Sequence, residues 1–467
     1  MTRPTLLSFL AIAWLLRGSI AVAADPSPPS PPQLAVYVPS EVVLGDTVTV
    51  RAVVVRTWTT DGPQITATAS APADRFVVHC TDPLADFEDR LRISEADRGR
   101  GALIIRFGTP GLHRVSFAGE GGLAARSAPI RVLESRPAER LVWGDLDVRP
   151  APIEDGPESA STLEYSLRES VAFARAVGLD FAAFVPDLAS GGGLAVGPPH
   201  ETPWDAMTAL LAAESSSGEF VALPGFTWLG GAGDYAIVYP GSGPLRAPPS
   251  FVEVTETADE RGGFAIACGG EVRPRFAESV GRSAGLLVAR STRSAHDTAL
   301  TGLRRGLIPA FVGGSSTSGG APGATSITGV RVESLSPSNL VAAVRARRTW
   351  ATNGERMVVD FDVDDSGDLP RILVRGVGTA SVERIEIYRN GRLVYETREL
   401  PPAEEFDLAW EDPELLALEC LDRTVAYHAR VVQSSRNAYD PSQQDFAVTS
   451  PREISLTARH FDTSHAP

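Results

Sequence analysis

Apolar and polar residues alternate along the first part of the chain in short runs. "LAVYVP", "DTVTVRAVVV", "ITATASA", "RFVVHC", "ALIIRF", "HRVSFAG" and "APIRVLE" each change character every second residue. That period places one set of side chains on each face of a strand. Turn residues such as Leu-Gly-Asp, Asp-Gly-Pro and Thr-Pro-Gly separate the runs. About seven strands in roughly 100 residues predict an immunoglobulin-like β-sandwich over residues 34–135. The cysteine and tryptophan pattern of antibody domains is absent.

Over residues 136–356 the pattern changes. "LVWGDLDV" has strand character, and "STLEYSLRESVAFARAVG" has helical spacing that ends at Gly178, a C-cap signal. "LDFAAFVP" reads as a buried strand and "TPWDAMTALLAAESS" as a helix. The runs "EFVALPGFTWL", "DYAIVYPG", "GFAIAC", "GLLVAR" and "LIPAFVGG" follow as strands, and "SPSNLVAAVRARRTW" as a helix. Strands alternating with helices predict a largely parallel sheet or barrel, with functional groups at strand C-termini and the loops that follow. From residue 357 to 460 the short alternating pattern returns, which predicts a second sandwich-like domain. Its clearest mark is Asn390-Gly391 between two alternating runs, a hairpin signal.

Composition narrows this picture. At 467 residues the chain is too long for a single core. Its net charge of −15 argues against a nucleic-acid partner, whose phosphates need a basic surface. Lysine is absent from the sequence, which excludes a Schiff-base or P-loop lysine. Residues 1–24 read as a secretory signal peptide: Arg3, the apolar "LLSFLAIAWLL", and the small-residue site "AVAA". A proline-rich linker, 25–33, follows. No later run is apolar enough to span a membrane, so the reading is an exported protein, periplasmic or extracellular. Cys80, Cys268 and Cys420 are too widely spaced for a disulfide framework and read as buried thiols.

The stretch with most chemistry is "LVWGDLDVRP" (141–150). In a strand, Asp145, Asp147 and Arg149 would share a face. They could form a site, or an ion pair that neutralises itself. Other candidates are weaker. His296-Asp297 could be a base with its orienting acid, although a surface loop or helix start is the ordinary reading. His200 precedes a helix and reads as exposed. The glycine- and serine-rich "GGSSTSGGAPG" (313–323) matches neither a nucleophile elbow nor a P-loop.

Taken together, the central motifs resemble the polymerase-and-histidinol-phosphatase (PHP) superfamily, in particular exported bacterial proteins with a PHP-like domain between two β modules. The residues that carry the resemblance are Trp143-Gly144-Asp145, Leu179-Asp180-Phe181, Pro224-Gly225-Phe226, Trp228, Gly313-Gly314 and Pro322-Gly323. The flanking "SAPIRV" and "IEIYRNG" also fit. The resemblance implies a multidomain α/β plus all-β protein: a distorted, seven-stranded β/α barrel flanked by N- and C-terminal β-sandwiches. It implies two or three metal ions at the barrel mouth and hydrolysis of phosphate esters.

The ligand positions of that pattern have changed in this chain. G-D-L-H-x-H has become "GDLDVR", with Asp147 and Arg149 in the histidine places, and a D-H pair has become Asp187-Leu188. The glutamate of P-G-F-E-W is Thr227, the following G-H is Gly233-Asp234, and an H-H pair falls on Cys268 and Gly269. In the last motif Ser316 and Ser318 replace an acid and an imidazole. An arginine at a ligand position adds positive charge where cations would have to be held. The reading is therefore a catalytically degenerate PHP-like protein with no catalytic residue, metal or cofactor. Its role would be structural or binding, towards a protein or cell-envelope ligand. The alternative is a metal-dependent phosphoesterase with a rebuilt site, in which Asp147, Asp187 and Asp234 hold Mg²⁺, Mn²⁺ or Ca²⁺. A third reading is a metal-free hydrolase using serine, Cys268 or His296.

Overall fold

The computed structural model describes residues 32–456, apart from 59–61, 65–73, 98, 151–158, 187–202, 216–218, 231–232, 242–250, 269–283, 288–292, 316–321, 324, 368, 398–399, 418–423 and 439. Residues 1–31, which take in the stretch that reads as a signal peptide and all but the end of the proline-rich linker, lie outside this set. So do Cys420 and His200.

Between Gln33 and Leu133 the alternating runs form strands arranged in three sheets, except "ITATASA", which lies outside the described residues. Their inward residues, including Val50, Phe76, Ile105, Val115, Phe117 and Ile130, make one dry core. Nine described strands follow: β1 (Arg140–Val148), β2 (Phe181–Phe184), β3 (Val221–Gly230), β4 (Gly233–Val238), β5 (Phe264–Ala267), β6 (Ala284–Leu287), β7 (Ala310–Val312), β8 (Ile327–Val332) and β9 (Thr349–Thr352). Five described helices are interleaved with them: α1 (Ser159–Ala176), α2 (Pro203–Glu214), α3 (Phe251–Glu260), α4 (Arg293–Arg304) and α5 (Pro337–Arg345).

These elements do not form the expected β/α barrel. The sheet runs β7-β6-β5-β4-β3-β2-β1-β8-β9, and no described ladder closes it. β1, β2 and β3 are parallel, β3 to β5 antiparallel, and β5 to β7 parallel again. The reversal follows from the connection: only Gly231 and Ala232 separate β3 from β4. A link of two residues permits a hairpin, whereas a parallel crossover needs a dozen or more. The five described helices do not form a ring around the sheet.

The C-terminal part is also not a detached sandwich. Its strands are β10 (Val358–Asp364), β11 (Arg371–Val377), β12 (Val382–Arg389), β13 (Arg392–Glu396), β14 (Glu405–Glu411), β15 (Thr424–Arg436), β16 (Gln444–Thr449) and β17 (Arg452–Ser455). β16 pairs antiparallel with β9, so β16, β15, β12 and β13 extend the central sheet, with β17 beside β15, to fourteen strands. Only β10, β11 and β14 form a separate sheet. The Asn390-Gly391 hairpin lies between β12 and β13, with both residues at positive φ, as a type I′ turn requires.

The sheet curls around α5, which packs against β3, β6, β7 and β8. Leu340, Val341, Ala343 and Val344 meet Val142, Leu146, Leu223 and Val312 there. Ser336 fixes the start of this helix by accepting the Asn339 N–H at 3.2 Å, just before Pro337. Trp143 and Val148 point to the opposite face, into a core with α1 and α2. Where β7 has no ladder partner on its open side, hydroxyls bridge the gap. Gly313 N–H donates to Thr328 Oγ1, Phe311 N–H to Ser450 Oγ and Thr349 Oγ1 to the Phe311 carbonyl, each at 2.8 Å.

Candidate functional site

The C-terminal end of β1 gathers the residues singled out in "GDLDVR". The ladder from β1 to β2 shifts between Asp145 and Val148, so one extra residue bulges from β1. Simple alternation therefore fails here, and Asp145 and Asp147 acquire different partners although both are fully buried.

Asp145 faces the glycine- and serine-rich segment. Its Oδ1 accepts the N–H of Asp147 and of Ser315, each at 3.0 Å. Its Oδ2 accepts the Gly323 N–H at 2.8 Å and the Ser315 hydroxyl. Burial pushes its pKa up to about 6, against the pull of the Ser315 hydroxyl and the three N–H groups. Gly323 reaches the carboxylate with φ +75, a conformation glycine adopts without strain. Gly314 lies so close that an added Cβ would sit 2.7 Å from the Asp147 backbone nitrogen. The segment is thus stapled to β1, and Asp145 is the staple.

Asp147 pairs with Arg149 instead. Arg149 Nε donates to Oδ1 at 3.0 Å and Nη2 to Oδ2 at 3.4 Å, a two-pronged arrangement. The arginine side chain is itself only 15% exposed.

Of the other ligand positions, the two whose side chains are described, Thr227 and Cys268, are engaged within the sheet. Thr227 is buried and donates its hydroxyl to the Val185 carbonyl at 2.9 Å, within the sheet. The buried Cys268 thiol contacts the Ile266 carbonyl of its own strand at 3.5 Å. Asp234 lies on β4 opposite Leu229, but its side chain is not among those described. Asp187, Leu188, Ser316 and Ser318 lie outside the described residues.

The residues that are described fit a metal centre poorly. A cation needs lone pairs turned towards it, whereas donors surround Asp145 and a guanidinium occupies Asp147. Among the described residues no group of three or more histidine, cysteine, aspartate or glutamate side chains is placed to hold a metal ion.

The His296-Asp297 pair is split by its helix. Both lie near the start of α4, in keeping with the helix start that is one of the two ordinary readings; Asp297 is exposed, while His296 is buried. It meets His428 of β15 at 5.9 Å and Tyr388 of β12 at 5.3 Å, measured between ring centres. His428 stacks on Tyr388 at 4.8 Å and meets Phe311 edge-on at 5.3 Å. Among the described residues neither nitrogen of His428, nor Nε2 of His296, has a hydrogen-bond partner. Burial, with Arg430 adding to it and Glu386 opposing, lowers the pKa of His296 to about 3. Burial and then His296 lower that of His428. The imidazoles are a neutral aromatic seam between modules, with no carboxylate oriented as in a catalytic pair.

Sequence reasoning missed Ser315, one position before the serine it selected, and missed His428 altogether. Ser315 was recoverable from its place in the "GGSS" motif. His428 looks like any inward residue of an alternating strand.

No protein-family model matches the chain, and no curated protein matches it. Among solved structures it is similar to a two-domain protein containing a predicted PHP-like metal-dependent phosphoesterase from Bacteroides vulgatus. The identity is 13% and the TM-score 0.38, over 68% of this chain and 96% of that one. This is a distant neighbour, and no site residue is carried over from it.

Proposed function

We propose that this chain is a PHP-like protein whose metal centre has been replaced by internal pairing, and that it acts by binding or as a structural component outside the cytoplasm. The observation that carries the reading is the Asp147–Arg149 pair at two former ligand positions. A buried carboxylate held by a guanidinium is already neutralised, so admitting a cation would first require breaking that pair. The donors around Asp145 act in the same direction, because each would have to turn away before the carboxylate could meet a metal. The leader-like residues 1–24 support the extracytoplasmic location.

Elemental analysis of the purified protein, with phosphodiesterase assays using bis-p-nitrophenyl phosphate with and without Mn²⁺, tests this. The expected outcome is metal well below one ion per chain and turnover no faster than buffer. Stoichiometric metal together with turnover abolished by Asp147→Ala would overturn it.

A further inference from the structure

The molecule has a second charged concavity, on the side of the central sheet where the C-terminal strands join. A cleft of about 360 Å³ opens between β9, the start of β17 and the sheet that contains β10 and β11. That volume suits a small molecule. Five arginines and three carboxylates line it, in a chain whose net charge is −15. The cleft between the N-terminal module and β1 is similar in size, about 350 Å³, but its four arginines face four carboxylates.

The arginines of the positive cleft are not equivalent. Arg331 is held by Glu41 and Asp360, Arg347 by Glu453, Arg348 by Glu139 and Arg375 by Asp407. Arg452 is partly buried, and its guanidinium makes no hydrogen bond or ion pair with any described residue. Burial, with Arg348 and Arg347 repelling it, lowers its pKa against the weaker pull of Asp362 and Glu139, neither of which reaches it as an ion pair. A guanidinium drawn partly out of water near two others is left without an acceptor among the described residues. Phe361, Leu373 and Trp350 supply apolar wall beside it.

We propose that this cleft is a binding site for a small oxyanion, phosphate or carboxylate in type, received by the guanidinium of Arg452. Its planar fork offers two parallel donors to either group, and Arg347 and Arg348 supply additional positive potential. The apolar wall fits a ligand that carries a hydrocarbon portion behind its charge. This inference does not depend on the state of the Asp147–Arg149 end, because the two sites share no residue.

Isothermal titration calorimetry on the purified full chain, at low ionic strength, tests it with inorganic phosphate and with citrate as probes. Saturable binding of at least one probe is expected, weakened tenfold or more by Arg452→Gln and weakened by added salt. Binding of phosphate alone would assign a tetrahedral ligand and binding of citrate alone a carboxylate. Arg452→Lys, which keeps the charge but not the fork, is expected to lose at least threefold; it serves as the deciding variant if circular dichroism shows Arg452→Gln unfolded. Failure of both probes to bind, or wild-type affinity in the deciding variant, would overturn the proposal.

Discussion

The end of β1 and the seam where the C-terminal strands join are both polar regions buried in one sheet, yet they are completed differently. At the end of β1 each carboxylate is satisfied: Asp145 by backbone N–H groups and a hydroxyl, Asp147 by Arg149. At the seam some polar atoms go without. His428, Nε2 of His296 and the guanidinium of Arg452 have no hydrogen-bond partner among the described residues. A buried polar group with partners fixes a structure, whereas one without partners costs stability or awaits a ligand. Among the described residues the polar groups at the end of β1 are therefore the satisfied ones, and those left open lie at the seam.

The contrast can be broken most forcefully at Asp147. Asp147→Ala takes the carboxylate from a mostly buried guanidinium, and about 3 kcal/mol of stability should disappear in urea unfolding. A loss under about 1 kcal/mol would mean that solvent already serves Arg149. Acid should reveal the seam next. The folded-state pKa of His296 lies at about 3, below its unfolded value, so the unfolded chain takes up protons first as pH falls. Its contribution is present above about pH 6.5 and is lost on the way down, by about 3 kcal/mol at pH 4. The double variant His296→Phe with His428→Phe should flatten that slope in thermal melts between pH 7 and pH 4. An unchanged slope would show that the imidazoles are solvated.

Asp145 provides the smallest and oppositely signed effect. Its folded pKa of about 6 lies above the unfolded value, so the stability it contributes is complete below about pH 4 and is lost as pH rises through 6. On the order of 2 kcal/mol is involved. Asp145→Asn removes this titration, so the variant's stability should lack the decline between pH 4 and 6 that Asp145 imposes on the wild type. It should also be less stable throughout, because an amide NH₂ must face some of the N–H donors.

Local features were legible in the sequence, and long-range ones were not. Asn390-Gly391 announced its turn because the required φ values depend on two residues alone. Gly178 similarly marked the end of one helix. The barrel was misread because apolar runs do not state strand direction. Two residues between β3 and β4 turned a parallel path antiparallel, and nothing in the period records that β9 pairs with β16. At the site, the charges of "GDLDVR" were visible, and the Arg149–Asp147 pair is local. The partners of Asp145 come from Ser315 and Gly323, 170 and 178 residues away. Folding alone brings them together.

The pairing of β9 with β16 also bears on how the chain can be divided. A fragment that stops near residue 356 would keep β9 but leave one side of Thr349–Thr352 bare, in a buried strand meant to be central. Unpaired N–H and C=O groups along such a margin recruit strands from other molecules. A gene cut at the boundary the sequence suggests would therefore yield a self-associating product, whereas one that carries β15 and β16 with it would keep that margin covered.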